Sequence, residues 1–580
     1  MIADLRHLRG SALLLTGTLL ASAVDFGAQV VLVRHFAKAD FGAWSYALAT
    51  VMLLATLAQL EMRQVVARFL PAHLAEGDRR RAIGVAAAAI GLVTLLGIAL
   101  GALLVWAIGW LGFRPTSDAE SIRVLALLGA LIPITAIDGV FTGLFAALGA
   151  SRAIFLRQSI IGPGLRLALV VGVVVTGADV GTLAIGYVGA SAIGVAIYVV
   201  GLVRLLRGIR GEPVMGTRDS EHLPLPIGEM LRFAGPLLSS TLVWILMESS
   251  DAILLGFFKD SSAVASFRVV LPLARMNQLV STTFSILYLP QAARAFANGD
   301  RATLDEVYWK TTAWMTVLTF PAFLLTAAFA GPITQLLYGP AYAASAPILA
   351  LVSAGYAFQT VLGFNGLTVK VFGRLRYMVV VDVAVSVLNV LLNLALIPTL
   401  GPIGAAIGTA SSLFIHNVLK HAGLRAYTTV RAFPQELRGM YAGLVVIGTG
   451  MVLLGAFVQV PVVAAIALAA AGGLAGLVLA RRELAVDELF PELRRLLSNS
   501  GRRETQPEQP LDVLPDEAAV AAEAGIVGER LRDVPKPPQR DEHLDRRGLI
   551  VELPPGGVED RGLGGRPGAP AQRRQQGDVG

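Results

Sequence analysis

Residues 79–111 read RRR (79–81) followed by AIGVAAAAIGLVTLLGIALGALLVWAIGWL (82–111): three positive charges, then a run with no ionisable side chain. A helix rises 1.5 Å per residue, so about twenty apolar residues cross the roughly 30 Å hydrocarbon core of a bilayer. A run this long and bare of charge has no comfortable place in a water-soluble domain. Working outward, comparable apolar windows fall near 11–33, 41–61, 124–149, 159–176, 181–203, 233–257, 264–288, 312–330, 346–366, 378–398, 402–419, 439–459 and 461–480. The whole chain agrees: its 580 residues are 55% hydrophobic and 15% charged, with mean hydropathy +0.66. Soluble domains sit near about a quarter charged. The sequence predicts an all-α polytopic membrane protein of about 14 transmembrane helices, one per apolar window.

The net charge of +7 does not point to nucleic acid, because the basic residues gather in short connections between spans, where membrane topology accounts for them. With the N-terminus inside, Lys and Arg up to residue 438 number twenty-four on the inside and five outside: Arg34, Lys38, Arg114, Arg123 and Lys259. Both termini are therefore expected in the cytoplasm. Arg6 and Arg9 resemble the charged start of a signal peptide. The apolar run continues to about Val33, however, contains Asp25 and shows no small-residue cleavage site, so it reads as a retained first span.

Catalysis and cofactors find no support. The absence of cysteine excludes thiolate chemistry and Cys-ligated metals, and the seven His are not spaced as a metal site. No Gly-rich loop ending in Lys-Ser/Thr follows a strand, so no ATPase is built in. The expected outer loops are short, the longest near Gly331–Ser345, which leaves no extracytoplasmic domain to carry out chemistry.

A repeat organises the chain. Phe141-Thr142-Gly143-Leu144 matches Phe364-Asn365-Gly366-Leu367, and Gly149 with Arg152 matches Gly373 with Arg376. Val180-Gly181 with Gly186 matches Ile403-Gly404 with Gly408, and Leu70-Pro71 before Gly77-Asp78 matches Leu289-Pro290 before Gly299-Asp300. The near-constant offset predicts two pseudo-symmetric six-helix bundles in parallel orientation around a central cavity, plus two extra helices. The expected organisation is a first bundle at 1–210, a cytoplasmic linker at 211–232, a second bundle at 233–437 and two additional helices at 438–482. A cytoplasmic, largely disordered tail is expected at 483–580, where Pro, Gly and charge dominate.

Three stretches carry a family resemblance. Residues 332–346 (PITQLLYGPAYAASA) resemble the outer loop of the Wzx-type polysaccharide flippases. Residues 388–398 (LNVLLNLALIP) and 401–410 (GPIGAAIGTA) are similar to that family's eleventh and twelfth spans. Glu248-Ser249-Ser250-Asp251 with Leu254-Leu255-Gly256 resembles the start of its second half. The resemblance, over about residues 10–480, is to lipid-linked oligosaccharide flippases of the multidrug/oligosaccharidyl-lipid/polysaccharide exporter superfamily. It implies a substrate of undecaprenyl-pyrophosphate-linked oligosaccharide, turned from the inner to the outer leaflet of a bacterial cytoplasmic membrane. Membrane lipids, a polysaccharide polymerase and glycosyltransferases are the partners it implies.

Charges within spans are the candidate site, since a charge deep in a bilayer calls for a wet cavity or a partner. Arg275 lies about eleven residues into the expected eighth span, roughly 17 Å deep, with Arg268 on nearly the same face. Arg166 lies in the fifth span, and Arg34 closes the first. Guanidinium groups hold phosphate oxygens bidentately and stay charged, so Arg275, Arg268, Arg166 and Arg34 are the expected substrate-binding set. Asp25, Asp138, Glu248 and Asp251 are read as ion-coupling or structural. Glu248 and Asp251 share a helix face, where they either hold a cation or proton together or pair with Arg268 or Arg275. Asn389 and Asn393, with His416-Asn417, read as bridges between helices. Alternatives stay open: a peptidoglycan-precursor flippase, a cation-coupled drug antiporter, a membrane-embedded enzyme, or a scaffold for envelope synthesis.

Overall fold

The computed structural model describes residues 2–111, 115–116, 118–209, 225–431 and 433–484. The expected tail, beyond residue 484, and most of the expected linker lie outside these. The described residues are nearly all helical. The first half comprises α1 (Ile2–His35), α2 (Lys38–Gln59), α3 (Met62–Ala75), α4 (Arg79–Gly109), α5 (Ala119–Leu128) and α6 (Leu131–Ala147). It continues through α7 (Ser151–Phe155), a π-helical stretch (Leu156–Ile161), α8 (Gly162–Thr176) and α9 (Val180–Ile209).

The second half runs α10 (Ile227–Phe258), α11 (Ser261–Arg268), α12 (Leu271–Arg275), a 3₁₀ turn (Met276–Gln278), α13 (Leu279–Ala297) and α14 (Arg301–Phe323). A second π stretch (Leu324–Ala328), α15 (Ala330–Tyr338), a 3₁₀ stretch (Pro340–Ser345), α16 (Ala346–Val361), α17 (Asn365–Val371), α18 (Leu375–Leu400) and α19 (Pro402–Tyr427) follow, and α20 (Arg438–Phe457) and α21 (Val462–Leu479) end it.

Twelve of the described helices are long and apolar enough to cross a membrane, or thirteen with the bent pair α5–α6, which turns by 42°. The expected window 264–288 is not one continuous helix. Arg268 and Arg275 lower its hydropathy, and Pro272, which lacks an N–H, opens the second of two short segments. The expected outer loop near Gly331–Ser345 is helical, as α15 and its 3₁₀ continuation. The helix through 159–176 begins earlier, at Ser151, which moves Arg157 from an expected connection into a helix.

The repeated sequence points fall on repeated structure. Gly77 and Gly299 have left-handed φ of +78° and +69°, which glycine adopts without a Cβ penalty. Each precedes an Asp that caps the next helix: Asp78 accepts from Arg81 N at 2.9 Å, Asp300 from Thr303 N at 3.0 Å. Gly149 and Gly373 likewise share left-handed φ. Helix pairings recur in step. α1 packs on α8 as α10 does on α18, α6 on α9 as α16 on α19, and α4 on α6 as α14 on α16. The added helices α20 and α21 pack on α14 and the second π stretch. There Gly473 sits against Pro321 and Gly476 against Leu444, small residues that let helices approach.

Large apolar side chains face outward, among them Val175 (80% exposed) and Phe457 (85%), as expected of helices solvated by lipid. The halves meet chiefly where α2 crosses α10 and α11. Gly42 makes that crossing possible, because a Cβ there would run into the Ser261 carbonyl.

Candidate functional site

The broken helix in the second half shapes the centre of the molecule. α11 ends at Arg268 and α12 at Arg275, so each short segment places a guanidinium at its C-terminal end, where carbonyls lack intrahelical partners and the helix dipole favours a cation. The carbonyl of Val269, freed at the break, accepts from Gln29 Nε2 of α1 at 3.3 Å. Facing this edge are α1, α2, α8 and α9 of the first half. Between them lies a cavity of about 330 Å³ lined by Asp25, Gln29, Trp44, Ser45, Arg166, Tyr187, Arg268, Pro272 and Arg275, among others. A second space of about 270 Å³, lined by Asp138, Arg157, Gln158, Arg166, Tyr187 and Ser191, shares Arg166 and Tyr187 with it.

Within this region the charges are mostly paired. Arg166 grips Asp25 bidentately, Nε to Oδ1 at 2.9 Å and Nη2 to Oδ2 at 2.8 Å. Arg157 Nη2 donates to Asp138 Oδ1 at 2.8 Å and lies over the Tyr198 ring, 5.6 Å from its centroid. Gly194 leaves room for that guanidinium, since a Cβ would collide with it. Arg275 Nη2 donates to Glu248 Oε2 at 2.6 Å, and its Nε to Tyr356 Oη at 3.3 Å. Arg268 is different: its hydrogen bond goes to the backbone oxygen of Glu248, at 3.3 Å, and it has no carboxylate within salt-bridge distance among the described residues. Among the described residues, four guanidinium groups thus meet three carboxylates around these two adjoining spaces. Such a wall can hold an anion with several oxygens, because each guanidinium offers planar, forked donors.

Arg275, Arg268 and Arg166 therefore converge as a group, with Asp25 beside them and Asp138 in the adjoining space. Arg34 does not join them. It sits where α1 ends and donates to the backbone oxygens of Leu337, at 2.9 Å, and Leu336. Lys38 similarly donates to Ala341 O at 3.3 Å, so two cations of the first half clasp the α15 region of the second. At the other end, which carries the basic connections, Phe69 packs edge-to-face on Phe233 and Arg68 lies over the same ring. The cavity is thus bounded at both ends by contacts between the halves.

Glu248 and Asp251 part company. Glu248 turns to Arg275, whereas Asp251 is buried between α10, α18 and α19, accepting from Asn393 Nδ2 and, at 3.1 Å, from Thr409 Oγ1. Asn389 accepts from Ser250 Oγ at 3.2 Å in the same interface, so these asparagines tie helices together. Among the described residues no group of three His, Asp or Glu is placed to hold a metal ion. Sequence reasoning missed Arg157, Tyr187 and Tyr356. By sequence the first falls in a connection between apolar windows, and its only signal is the in-span Asp138 that needs a partner.

Comparison with known proteins gives the following. The model of the family described as "Polysaccharide biosynthesis protein" matches residues 7–296. An uncharacterized membrane protein of Methanocaldococcus jannaschii is 28% identical over 189 residues, covering 32% of this chain and 35% of the relative. The probable low-salt glycan biosynthesis flippase Agl15 of Haloferax volcanii is 22% identical over 181 residues, 31% of this chain and 38% of the relative. The matches span little more than a third of either relative. Among solved structures, the lipid II flippase MurJ in an inward closed conformation aligns with a TM-score of 0.64 at 13% identity, over 82% of this chain and 100% of its own. An inward-facing multidrug resistance MATE family transporter of the MOP superfamily aligns at 0.55 and 15% identity, over 70% and 94%. These likenesses establish a shared transporter fold.

Proposed function

The chain belongs to the polysaccharide biosynthesis protein family, and from that premise we propose that it is a flippase for lipid-linked oligosaccharide. In this reading the central cavity receives an undecaprenyl-pyrophosphate headgroup from the cytoplasmic leaflet. The two halves, 1–210 and 233–437, then rock about the α2 crossing to release it on the other side, with both termini in the cytoplasm. The observation that carries the reading is the surplus guanidinium. Arg268 has no carboxylate partner among the described residues and lines the cavity together with Arg166 and Arg275, where the halves face each other. A pyrophosphate supplies the negative charge this wall lacks. It can also compete with Glu248 and Asp25 for the forks of Arg275 and Arg166.

The acids that face the space support the same reading. Asp25 and Asp138 are each bonded to an arginine, leaving neither bare to attract a cationic drug. Membrane potential and ion gradients enter only as drivers of the rocking step; no covalent chemistry is required.

The test is reconstitution of the full chain in proteoliposomes with a fluorescent undecaprenyl-pyrophosphate oligosaccharide, followed by quenching of the label exposed on one leaflet. Transport by wild type and its loss in Arg268→Ala support the assignment. Wild-type rates in Arg268→Ala, or movement of a cationic dye in place of the glycolipid, overturn it.

A further inference from the structure

A second basic pocket lies at the end of the second half that carries the basic connections. It holds about 200 Å³ between α16, α17, α18 and α19, and Gln359, Asn365, Lys370, His416, Asn417 and Lys420 are among its walls. The pocket is built rather than incidental. Asn365 and Asn417, each 3% exposed, are fixed by bonds to one another and to the backbone: Asn365 Nδ2 donates to Asn417 Oδ1 and Asn417 Nδ2 to Phe358 O, both at 2.7 Å. Gly366 carries no side chain where a Cβ would stand 3.3 Å from Lys420 Cδ, so the lysine stem lies across α17.

The charges there do not cancel. Asp382 Oδ1 is 2.7 Å from His416 Nε2 and 4.0 Å from Lys420 Nζ. Lys370 has no carboxylate within salt-bridge distance among the described residues. Two ammonium groups and an imidazole therefore share one carboxylate.

The pocket is also linked to the central cavity. Gln359 on its wall accepts from Gln278 Nε2 at 2.7 Å, and Gln278 follows Arg275 by one turn. One turn back along α16 from Gln359, Tyr356 accepts from Arg275. A polar strip along α16 thus runs from the two lysines to the arginine wall.

We propose that the Lys370–Lys420 pocket is a separate anion-binding site for a phosphate or diphosphate group, which it takes up from the cytoplasmic side before the arginines of the central cavity. Ammonium groups suit this role: they are compact point charges on flexible stems, able to follow a moving headgroup, whereas the guanidinium forks fix its orientation. The site rests on the flippase reading only for its place in the sequence of events, not for its chemistry.

The chain lacks cysteine, so one introduced thiol reports on the pocket alone. Leu367→Cys places it on the wall. Inorganic pyrophosphate is expected to slow alkylation of this thiol at least tenfold, where sodium chloride of equal ionic strength does not. Adding Lys370→Ala and Lys420→Ala is expected to abolish the slowing, while Lys370→Arg with Lys420→Arg retains it and controls for folding. Arg268→Ala should leave the slowing intact. Met378→Cys, on the facing wall, is a second reporter should the first disturb folding. Farnesyl pyrophosphate in vesicles, protecting at a tenfold lower concentration than inorganic pyrophosphate, identifies a membrane-presented headgroup; equal potency identifies a free diphosphate. No protection in either reporter, or protection that survives the double alanine variant, overturns the site. Protection without glycolipid transport in proteoliposomes leaves the site standing and sinks the flippase reading.

Discussion

Arg275 and Arg268 stand about two turns apart on a broken helix, and their removal should differ in stability cost while sharing one transport phenotype. Arg268 makes one hydrogen bond, to a backbone oxygen at 3.3 Å. Arg268→Ala should therefore cost about 1.5 kcal/mol of stability, the low end for a bond from a charged donor. Arg275→Ala strands Glu248, whose side chain is 24% exposed and whose Oε2 lies 2.6 Å from the lost guanidinium. Breaking a buried pair costs about 3–5 kcal/mol. Because the Arg275 side chain is itself 39% exposed and partly screened, that cost is discounted to about 2–3 kcal/mol. Glu248→Ala added to Arg275→Ala removes the stranded charge and should recover most of the loss, a coupling a double-mutant cycle reads directly. Transport behaves otherwise. Each guanidinium contributes about 1.5–3 kcal/mol to a charged ligand, so either single variant, and the double, should weaken transport of the pyrophosphate substrate roughly 10- to 150-fold. Thermal unfolding of the purified chain gives the first quantity, and initial rates in proteoliposomes at subsaturating substrate give the second. If Arg275→Ala melts like wild type, Glu248 has another partner. If the Arg275→Ala/Glu248→Ala chain transports normally, that guanidinium does not touch substrate.

Further outcomes follow from the same contacts. Gly42→Val should lower the melting temperature by several degrees, since a Cβ meets the Ser261 carbonyl and overpacking costs about 1–3 kcal/mol; an unchanged melting curve argues against the α2–α11 crossing. Asp251→Ala leaves Thr409 Oγ1 without its acceptor and Asn393 Nδ2 with only the 3.3 Å bond to Asn389 Oδ1, and should destabilise by about 1–3 kcal/mol, whereas Asp251→Asn should cost less; equal effects would mean the carboxylate's charge matters more than its bonds. Reporter fusions should place 70–80, 205–230 and 295–305 in the cytoplasm and 335–345 outside, and a cytoplasmic readout at 335–345 would reverse the orientation.

What could be read from the sequence and what could not divide along physical lines. Long apolar runs announce helices by composition alone, and helix punctuation is local: Gly77-Asp78 and Gly299-Asp300 show both the turn and its recurrence in the two halves. That Arg166, Arg268 and Arg275 need a polar setting is also legible, because hydrocarbon leaves them no other. Which partner each finds is not. Arg166 meets Asp25 across 141 positions of chain, a product of how α1 and α8 pack. The π stretch that turns Arg157 inward leaves no periodic trace, so that arginine reads as one more loop charge. Arg34 shows the converse error: an arginine at the end of a span looks available for substrate, yet it is occupied by carbonyls more than three hundred positions away.

That occupation bears on how easily the two halves can part. Arg34 and Lys38 bind backbone oxygens of Leu336, Leu337 and Ala341, and neither closes on an acidic side chain. A clasp between opposite charges would leave a carboxylate behind whenever it opened, and would tighten or slacken with acidity and salt. Carbonyl oxygens carry no net charge, do not titrate in this range, and on release at the membrane surface simply exchange an arginine or lysine for water. The residues at 336, 337 and 341 can therefore change without losing the acceptor, since every amino acid supplies the same oxygen. In the proposed rocking of the halves, a fastening of this kind would act as a door that opens with nearly the same ease in acid and in brine.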